Sequence, residues 1–235
     1  MNLVIVYPHD FVESNLVRLE DHRFLHIRTV LKAKPGERIR VGKLNGNTGE
    51  AILVQADESH VLLEVSFTDP PPPPLPVTLL CALPRPKTLK KVLQASVSIG
   101  VKRIFLMRTW RADKSYWQSA LLSEKNLRQQ CILGLQQARD TILPEIAKRP
   151  RFKPFVQDEL PALIKGSRAL VAHPHEKSSP ISTSDSPVTL AVGPEGGFVP
   201  YEIDLLRSIG FENVSLGRRP LRVENAVVAL LARLF

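Results

Sequence analysis

Hydrophobic positions along the chain follow two different periods, and the change falls near residue 70. Before it, "RIRVGKL" (38–44), "GEAILVQA" (49–56) and "VLLEVSF" (61–67) are short apolar or alternating stretches. The turn signals "PGE", "NGNTG" and "ADES" separate them. Alternation with a period of two, broken at short intervals by Gly, Pro, Asn and Asp, predicts half-buried strands of a small β-barrel. Ahead of these strands, "LEDHRFLHIRTVLKA" (19–33) spaces Leu19, Arg23, His26 and Ile27 in near-helical fashion and predicts a helix.

Beyond residue 76, strand-like and helix-like patterns alternate. "VTLLCAL" (77–83) is a continuous apolar run, as a strand buried on both faces requires. "KTLKKVLQASVSIG" places Leu89, Val92, Leu93 and Val97 on one helical face and stops at Gly100, and "VKRIFLM" is the next strand. A helix is predicted over 123–139 with Leu127, Cys131, Leu135 and Ala138 on its apolar stripe. Strands follow at "ALVAH" and "VTLAVG", then a helix between Pro200 and Gly210, a strand at "NVSLG" and a last helix, "VENAVVALLARLF". Such alternation predicts an α/β domain with a mostly parallel sheet covered on both faces. The last helix is apolar nearly all round from Ala226 to Leu234, and so calls for burial on every side.

Between the two halves lies "DPPPPPLP" (69–76). Consecutive prolines fix φ and remove backbone donors, so this segment is expected to be an extended spacer. It sets the expected boundaries: a first domain over 1–69, a linker over 70–76 and a second domain over 77–235.

A net charge of +9 points to an acidic partner, because the basic residues cluster in "RPKTLKK", "KRIFLMRTWRADK", "KRPRFK" and "GRRPLR". Each phosphate neutralised adds to affinity through counterion release, which favours nucleic acid over a single small acid. Cys81 and Cys131 stand far apart in apolar stretches, the pattern of reduced, buried thiols in a cytosolic protein. "MNLVIVYPHDF" has no basic flank or cleavage site of a signal peptide, and no apolar run reaches the length of a membrane span, so a cytoplasmic protein is expected.

Candidate chemistry gathers at glycine-bearing turns that end strands: Gly193 with Gly196 and Gly197 in "LAVGPEGGFVP", and Gly217. In open α/β sheets ligands bind outside the carboxyl ends of the strands, and glycine there lets a ligand approach the backbone. The Lys and Ser/Thr of a P-loop are absent, and no G-x-G-x-x-G follows a strand, so neither usual nucleotide fingerprint applies. "TWRADKSYW" (109–117) brings aromatic and cationic side chains together, as stacking of an unpaired base demands. His173 and His175 alternate but have Pro174 between them and no Cys or Asp nearby, and no metal site is expected.

"GPEGGF" followed by "LGRRPLRVENA" resembles the ribosomal RNA uridine-N3 methyltransferase family of the SPOUT superfamily. The resemblance spans nearly the whole chain. "HIRTVLKAKPGERIRV" is similar to the family's RNA-binding, PUA-like barrel, and "LQQARDTILPEI" to its mid-domain signature. It implies a C-terminal methyltransferase domain closed by a deep trefoil knot, a homodimer formed through the knotted region, and S-adenosylmethionine as cofactor. By resemblance the cofactor lies against Leu170, Ala172 and His173, against Gly193, Glu195, Gly196 and Gly197, against Leu216 and Gly217, and against Leu221, Arg222 and Asn225. Arg222 is the expected catalytic cation and Glu224 its orienter or the base, with Glu195 the other carboxylate. RNA contacts are expected from Arg23, His26, Arg28 and Lys32 in the first domain and from Trp110, Arg111 and Lys114 in the second. The chain carries Asn225, Pro220 and Lys32 where the family commonly has threonine, an apolar aliphatic residue and arginine. The implied activity is methylation of N3 of a specific uridine in ribosomal RNA of the small subunit. The alternatives are a divergent paralogue acting on another RNA and a non-catalytic RNA-binding factor of the same fold.

Overall fold

The computed structural model describes residues 2–173 and 179–235, so Pro174 and His175 lie outside the described residues. By contact the chain divides into two units. One comprises the residues up to Pro73 together with Ile132–Leu143, the other Pro74–Cys131 with Pro144–Phe235.

The first unit is a curled five-stranded sheet in the order β1 (Val4–Val6), β3 (Arg38–Lys43), β4 (Thr48–Ala56), β5 (Val61–Asp69), β2 (Leu16–Leu19). β1 and β3 are parallel and the other pairings antiparallel. The period-two pattern has its expected consequence: Ala51, Leu53, Val61, Leu63 and Val65 point into one core with Val17, Leu19 and Ile39. The helix expected over 19–33 is shorter, because Leu19 belongs to β2. Asp21 accepts from the Arg23 backbone N–H at 2.9 Å and starts α1 (His22–His26), which widens into a π turn over Ile27–Leu31 and ends at Lys32 with φ of 53°. The mid-domain segment belongs to this unit. Asn2 N–H donates to Gln136 O at 3.1 Å, Asn45 N–H to Thr141 O at 2.9 Å, and Thr141 Oγ1 to Gly46 O.

Residues 70–76 carry neither helix nor strand. The second unit is built on a seven-stranded sheet in the order β10 (Ser179–Pro180), β12 (Glu212–Ser215), β9 (Arg168–Ala172), β11 (Val188–Val192), β6 (Val77–Ala82), β7 (Arg103–Met107), β8 (Glu145–Arg149). Every pairing in it is parallel among the described residues. β11 is buried at all five positions, as a central strand with both faces covered must be. α2 (Pro86–Ile99) starts on a proline, buries Leu89, Val92, Leu93 and Val97, and ends at Gly100 with φ of 106°. α3 (Glu124–Ala138) follows the expected stripe, with Leu127, Cys131 and Leu135 buried. After β8, short turns α4 (Phe152–Pro154) and α5 (Leu160–Leu163) send Phe155, Val156 and Leu160 into the core under the sheet. α6 (Pro200–Ser208) and α7 (Val223–Leu234) complete the unit. α7 buries Val223, Val227, Leu230, Leu231 and Leu234 but leaves Val228 and Phe235 at 38% and 40% exposure, so its burial within the chain is one-sided. Both thiols are buried, which pushes Cys81 and Cys131 up to about 12 and leaves them unreactive as nucleophiles. Among the described residues no helix is long and apolar enough to cross a membrane.

Candidate active site

Three adjacent strands, β12, β9 and β11, end at one edge of the parallel sheet, and a cavity of about 320 Å³ opens there. Its first wall is the turn after β11. Gly197 N–H donates to Pro194 O at 2.8 Å, and Gly197 takes φ of 70°. The turn folds so tightly that a Cβ on Gly193 would stand 3.2 Å from Gly197 Cα and from Phe198 N, and one on Gly196 would stand 3.2 Å from Cβ and Cδ of Arg111. Those two glycines let the chain approach itself. At Gly197 nothing among the described residues lies within 4 Å of the missing Cβ, so there the backbone faces open space, and the left-handed φ keeps side chains out. Phe198, 2% exposed, anchors the turn in the core.

Two further groups, both on the cavity lining, hold this wall. Arg111 Nη1 donates to Gly196 O at 2.6 Å. Glu195 Oε1 accepts from the Arg85 backbone N–H at 3.1 Å, which puts its carboxylate at the start of α2, where the helix dipole favours negative charge. The second wall is the turn after β12: Gly217 has φ of 112° with nothing among the described residues within 4 Å of its missing Cβ, and its N–H donates to Ser215 Oγ at 3.1 Å. The third is the approach to α7, where Leu221, Val223, Ala226 and Leu230 line the cavity.

Of the residues expected at a cofactor, Ala172, His173, Gly193, Glu195, Gly196, Gly197, Leu216, Gly217 and Leu221 line this cavity together. Leu170 does not; it sits fully buried in the middle of β9, paired with Leu190 and Glu212. Arg222 is the exposed residue that begins α7, between the lining residues Leu221 and Val223, and Asn225 is exposed on the first turn of that helix. Glu224 lies 3.3 Å from Lys91 Nζ. A hydrogen bond from its own backbone N–H, with Lys91 and Arg222 nearby, holds its carboxyl below the usual range. Lining residues outside the expected set include Ser215, Arg219, Ala226 and Leu230. Arg219 lies inside the quoted motif, and Ala226 and Leu230 follow Val223 at helical spacing, which is the signal that marks them.

The cations expected to meet RNA divide sharply. Arg23 is corrected: it is 2% exposed and its guanidinium is spent inside the protein. Its Nε donates to Asp21 at 2.9 Å, Nη1 to Ile5 O at 2.7 Å and to Asp10 at 2.6 Å, and Nη2 to Asp10 at 2.8 Å, over the Tyr7 ring. Burial opposes the charge, but the two carboxylates outweigh it and keep the proton bound. His26 is half-buried, while Arg28, Lys32, Arg111 and Lys114 are exposed. Trp110 is 84% exposed. Sequence inspection misses Glu202, a carboxylate 3% exposed that accepts from Trp110 N–H at 2.7 Å and Val199 N–H at 2.9 Å and so ties the 109–111 loop to the start of α6.

Comparison with known proteins agrees with this architecture. Residues 71–235 match the model of the RNA methyltransferase domain, and residues 19–66 that of the RNA methyltransferase PUA domain. Ribosomal RNA small subunit methyltransferase E of Treponema pallidum is 29% identical over 238 residues, which covers 99% of this chain and 90% of that protein. The protein of the same name from Rickettsia conorii is 27% identical, covering 94% and 89%. Among solved structures, ribosomal RNA small subunit methyltransferase E from Neisseria gonorrhoeae, bound to S-adenosyl methionine, has the same fold, with a TM-score of 0.74 at 23% identity over 99% of this chain and 95% of that one. With the transferase model spanning well over half of its length and the PUA model ahead of it, the chain belongs to the RNA methyltransferase family.

Proposed function

We propose that this protein transfers a methyl group from S-adenosylmethionine to N3 of a uridine in small-subunit ribosomal RNA, in the cytoplasm and as a homodimer. The observation that carries the proposal is the cavity at the ends of β9, β11 and β12, where two left-handed glycines leave open space beside the backbone. The cavity suits a ligand with a flat apolar-faced base at one end and an amino acid at the other. Leu216, Leu221 and Leu230 offer apolar surface to the base, and the main chain of 193–197 offers donors and acceptors to the amino acid. S-adenosylmethionine, when bound, supplies an electrophilic methyl group.

The chain's own residues then align the acceptor and manage one proton. Uridine N3 is a good nucleophile only after its weakly acidic proton leaves, so a cation beside the uracil oxygens lowers the barrier. Arg222 takes that role, carried in extended conformation at the start of α7. Glu224, held as a carboxylate beside Lys91, orients Lys91 and Arg222 or receives the N3 proton and passes it to solvent. Asn225 keeps a hydrogen-bonding side chain on the same turn. Leu170 supports Ala172 and His173 from within β9. The turns stay fixed while the reactants meet, and proximity does most of the work.

Residues 1–69 are assigned to RNA recognition, 70–76 to the spacer and 77–235 to transfer, except that 132–143 pack with the first unit. The exposed side of α7, with Val228 and Phe235, is assigned to the dimer contact. A threaded C-terminus accords with Ser184 N–H donating to Leu234 O at 2.9 Å, which brings the end of α7 to the segment ahead of β11. Calorimetric titration with S-adenosylmethionine is the test: saturable binding is expected, with turnover lost and cofactor affinity less affected in Arg222→Ala. No binding at millimolar ligand leaves the non-catalytic RNA-binding factor as the function.

A further inference from the structure

A second cavity, of about 600 Å³, opens at the same edge of the parallel sheet, over β7 and β8 instead of β9, β11 and β12. Its walls come from three segments. Arg108, Trp110 and Lys114 follow β7, Phe152 and Lys153 follow β8, and Tyr201 stands at the start of α6. The cavity therefore combines three cations with three aromatic rings. Trp110 and Tyr201 are 84% and 55% exposed, so the fold spends neither ring on its core. Thr109, also on the lining, is 4% exposed, and its Oγ1 has no hydrogen-bond partner among the described residues. The walls are also held in advance. Glu202 accepts from both Trp110 N–H and Val199 N–H and fixes the β7 loop against the start of α6.

We propose that this cavity seats one unpaired nucleotide of the substrate RNA, flanking the residue that is modified. Its base lies against Trp110 and Tyr201, and its phosphates lie on Arg108, Lys114 and Lys153. The proposal rests on the reading of the protein as an RNA methyltransferase and adds the place where the strand is gripped. A base offers π faces to the rings whatever its identity, and its backbone offers the charge that three clustered cations need. The volume lies in the range of about 300–1,000 Å³ typical of small-ligand sites. Arg111 lines the cofactor cavity and donates to Gly196 O, and its neighbour in the chain, Trp110, lines this one. A strand gripped at Trp110 is thereby delivered beside the glycine turn.

The test is binding of a short uridine-rich single-stranded RNA carrying one 2-aminopurine, followed by fluorescence, with a matched duplex as control. Trp110→Ala and Tyr201→Ala are each expected to weaken single-strand binding about five- to hundredfold, to relieve quenching of the 2-aminopurine and to leave cofactor affinity unchanged. Lys153→Ala is expected to lower the slope of affinity against salt by about one. Ring variants that bind the strand as the unaltered protein does, or that lose strand and duplex equally, overturn the proposal, as does an unaltered protein that binds no strand. Failure here is separable from failure of the function. Methyl transfer with intact binding in the ring variants removes the nucleotide seat and keeps the enzyme. Ring-dependent strand binding without transfer keeps the seat and removes the enzyme.

Discussion

Arg23 in the first unit and Arg111 in the second carry the same charge and were both expected to meet RNA, yet the fold uses them in opposite ways. Arg23 is enclosed by Asp10, Asp21 and the Ile5 carbonyl and holds β1, the turn after it and α1 together. Arg111 is exposed, and its side chain donates to the glycine turn that walls the cofactor cavity. The difference teaches that charge read from sequence counts donors without telling which already have acceptors. Only an unspent or ligand-facing cation speaks to function.

The comparison breaks most violently at Arg23. Arg23→Ala leaves Asp10 as a buried carboxylate without its partner, and a loss of about 3–5 kcal/mol of stability is expected, read as an earlier unfolding transition in denaturant. Gly197→Val acts on the other side of the comparison: a β-branched residue at φ of 70° fills the open face of the turn, and cofactor affinity should fall by about a hundredfold while the sheet stays folded. Arg111→Ala should cost about tenfold in cofactor affinity, the worth of one hydrogen bond from a charged donor, with global stability unchanged to within about 0.5 kcal/mol. If Arg111→Ala unfolds the protein as Arg23→Ala does, the contrast between them is wrong.

Smaller effects sharpen the picture. Lys32→Ala and Lys114→Ala, at exposed cations, should each lower the salt slope of RNA binding by about one and leave cofactor affinity alone. Asp21 gives a pH signature. Burial works against its charge, but hydrogen bonds from Arg23 hold its carboxyl below the ordinary value of 3.8. Its contribution to stability is therefore complete above that value and fades as pH falls through the lower folded value. Asp21→Asn should therefore lower stability at neutral pH, flatten the stability curve in that acid window and change little below it.

Much of the fold was legible because its elements obey one period each. The alternation of 49–67 and the continuous runs of β6 and β11 admit few other structures, and Gly100 marks the end of α2 as it marks it in the sequence. β8 escaped notice because "EIAKR" is a half-exposed edge strand without an apolar run, and β1 and β2 because they are short. The helix over 19–33 was overextended because near-helical spacing cannot tell a strand end from a helix start, whereas the Asp21 cap can. The cofactor cavity was legible for a related reason. Backbone-built walls concentrate glycine into short motifs, so Gly193, Gly196, Gly197 and Gly217 stand out in a single sequence. The second cavity was legible only in part: "TWRADKSYW" marks Trp110 and Lys114, but Arg108, Phe152, Lys153 and Tyr201 come from segments that only the folded sheet and α6 bring to them. Glu202 was hidden likewise, because an acidic residue in a first helical turn looks like ordinary dipole chemistry until its partners are seen.

The most direct test of the central claim is methyl transfer from labelled S-adenosylmethionine to small ribosomal subunits, large subunits and naked ribosomal RNA from cells lacking this protein, with nucleoside mass spectrometry of the product. The account predicts 3-methyluridine in RNA of the small subunit. Cofactor binding with no labelled uridine in any of the three would contradict it.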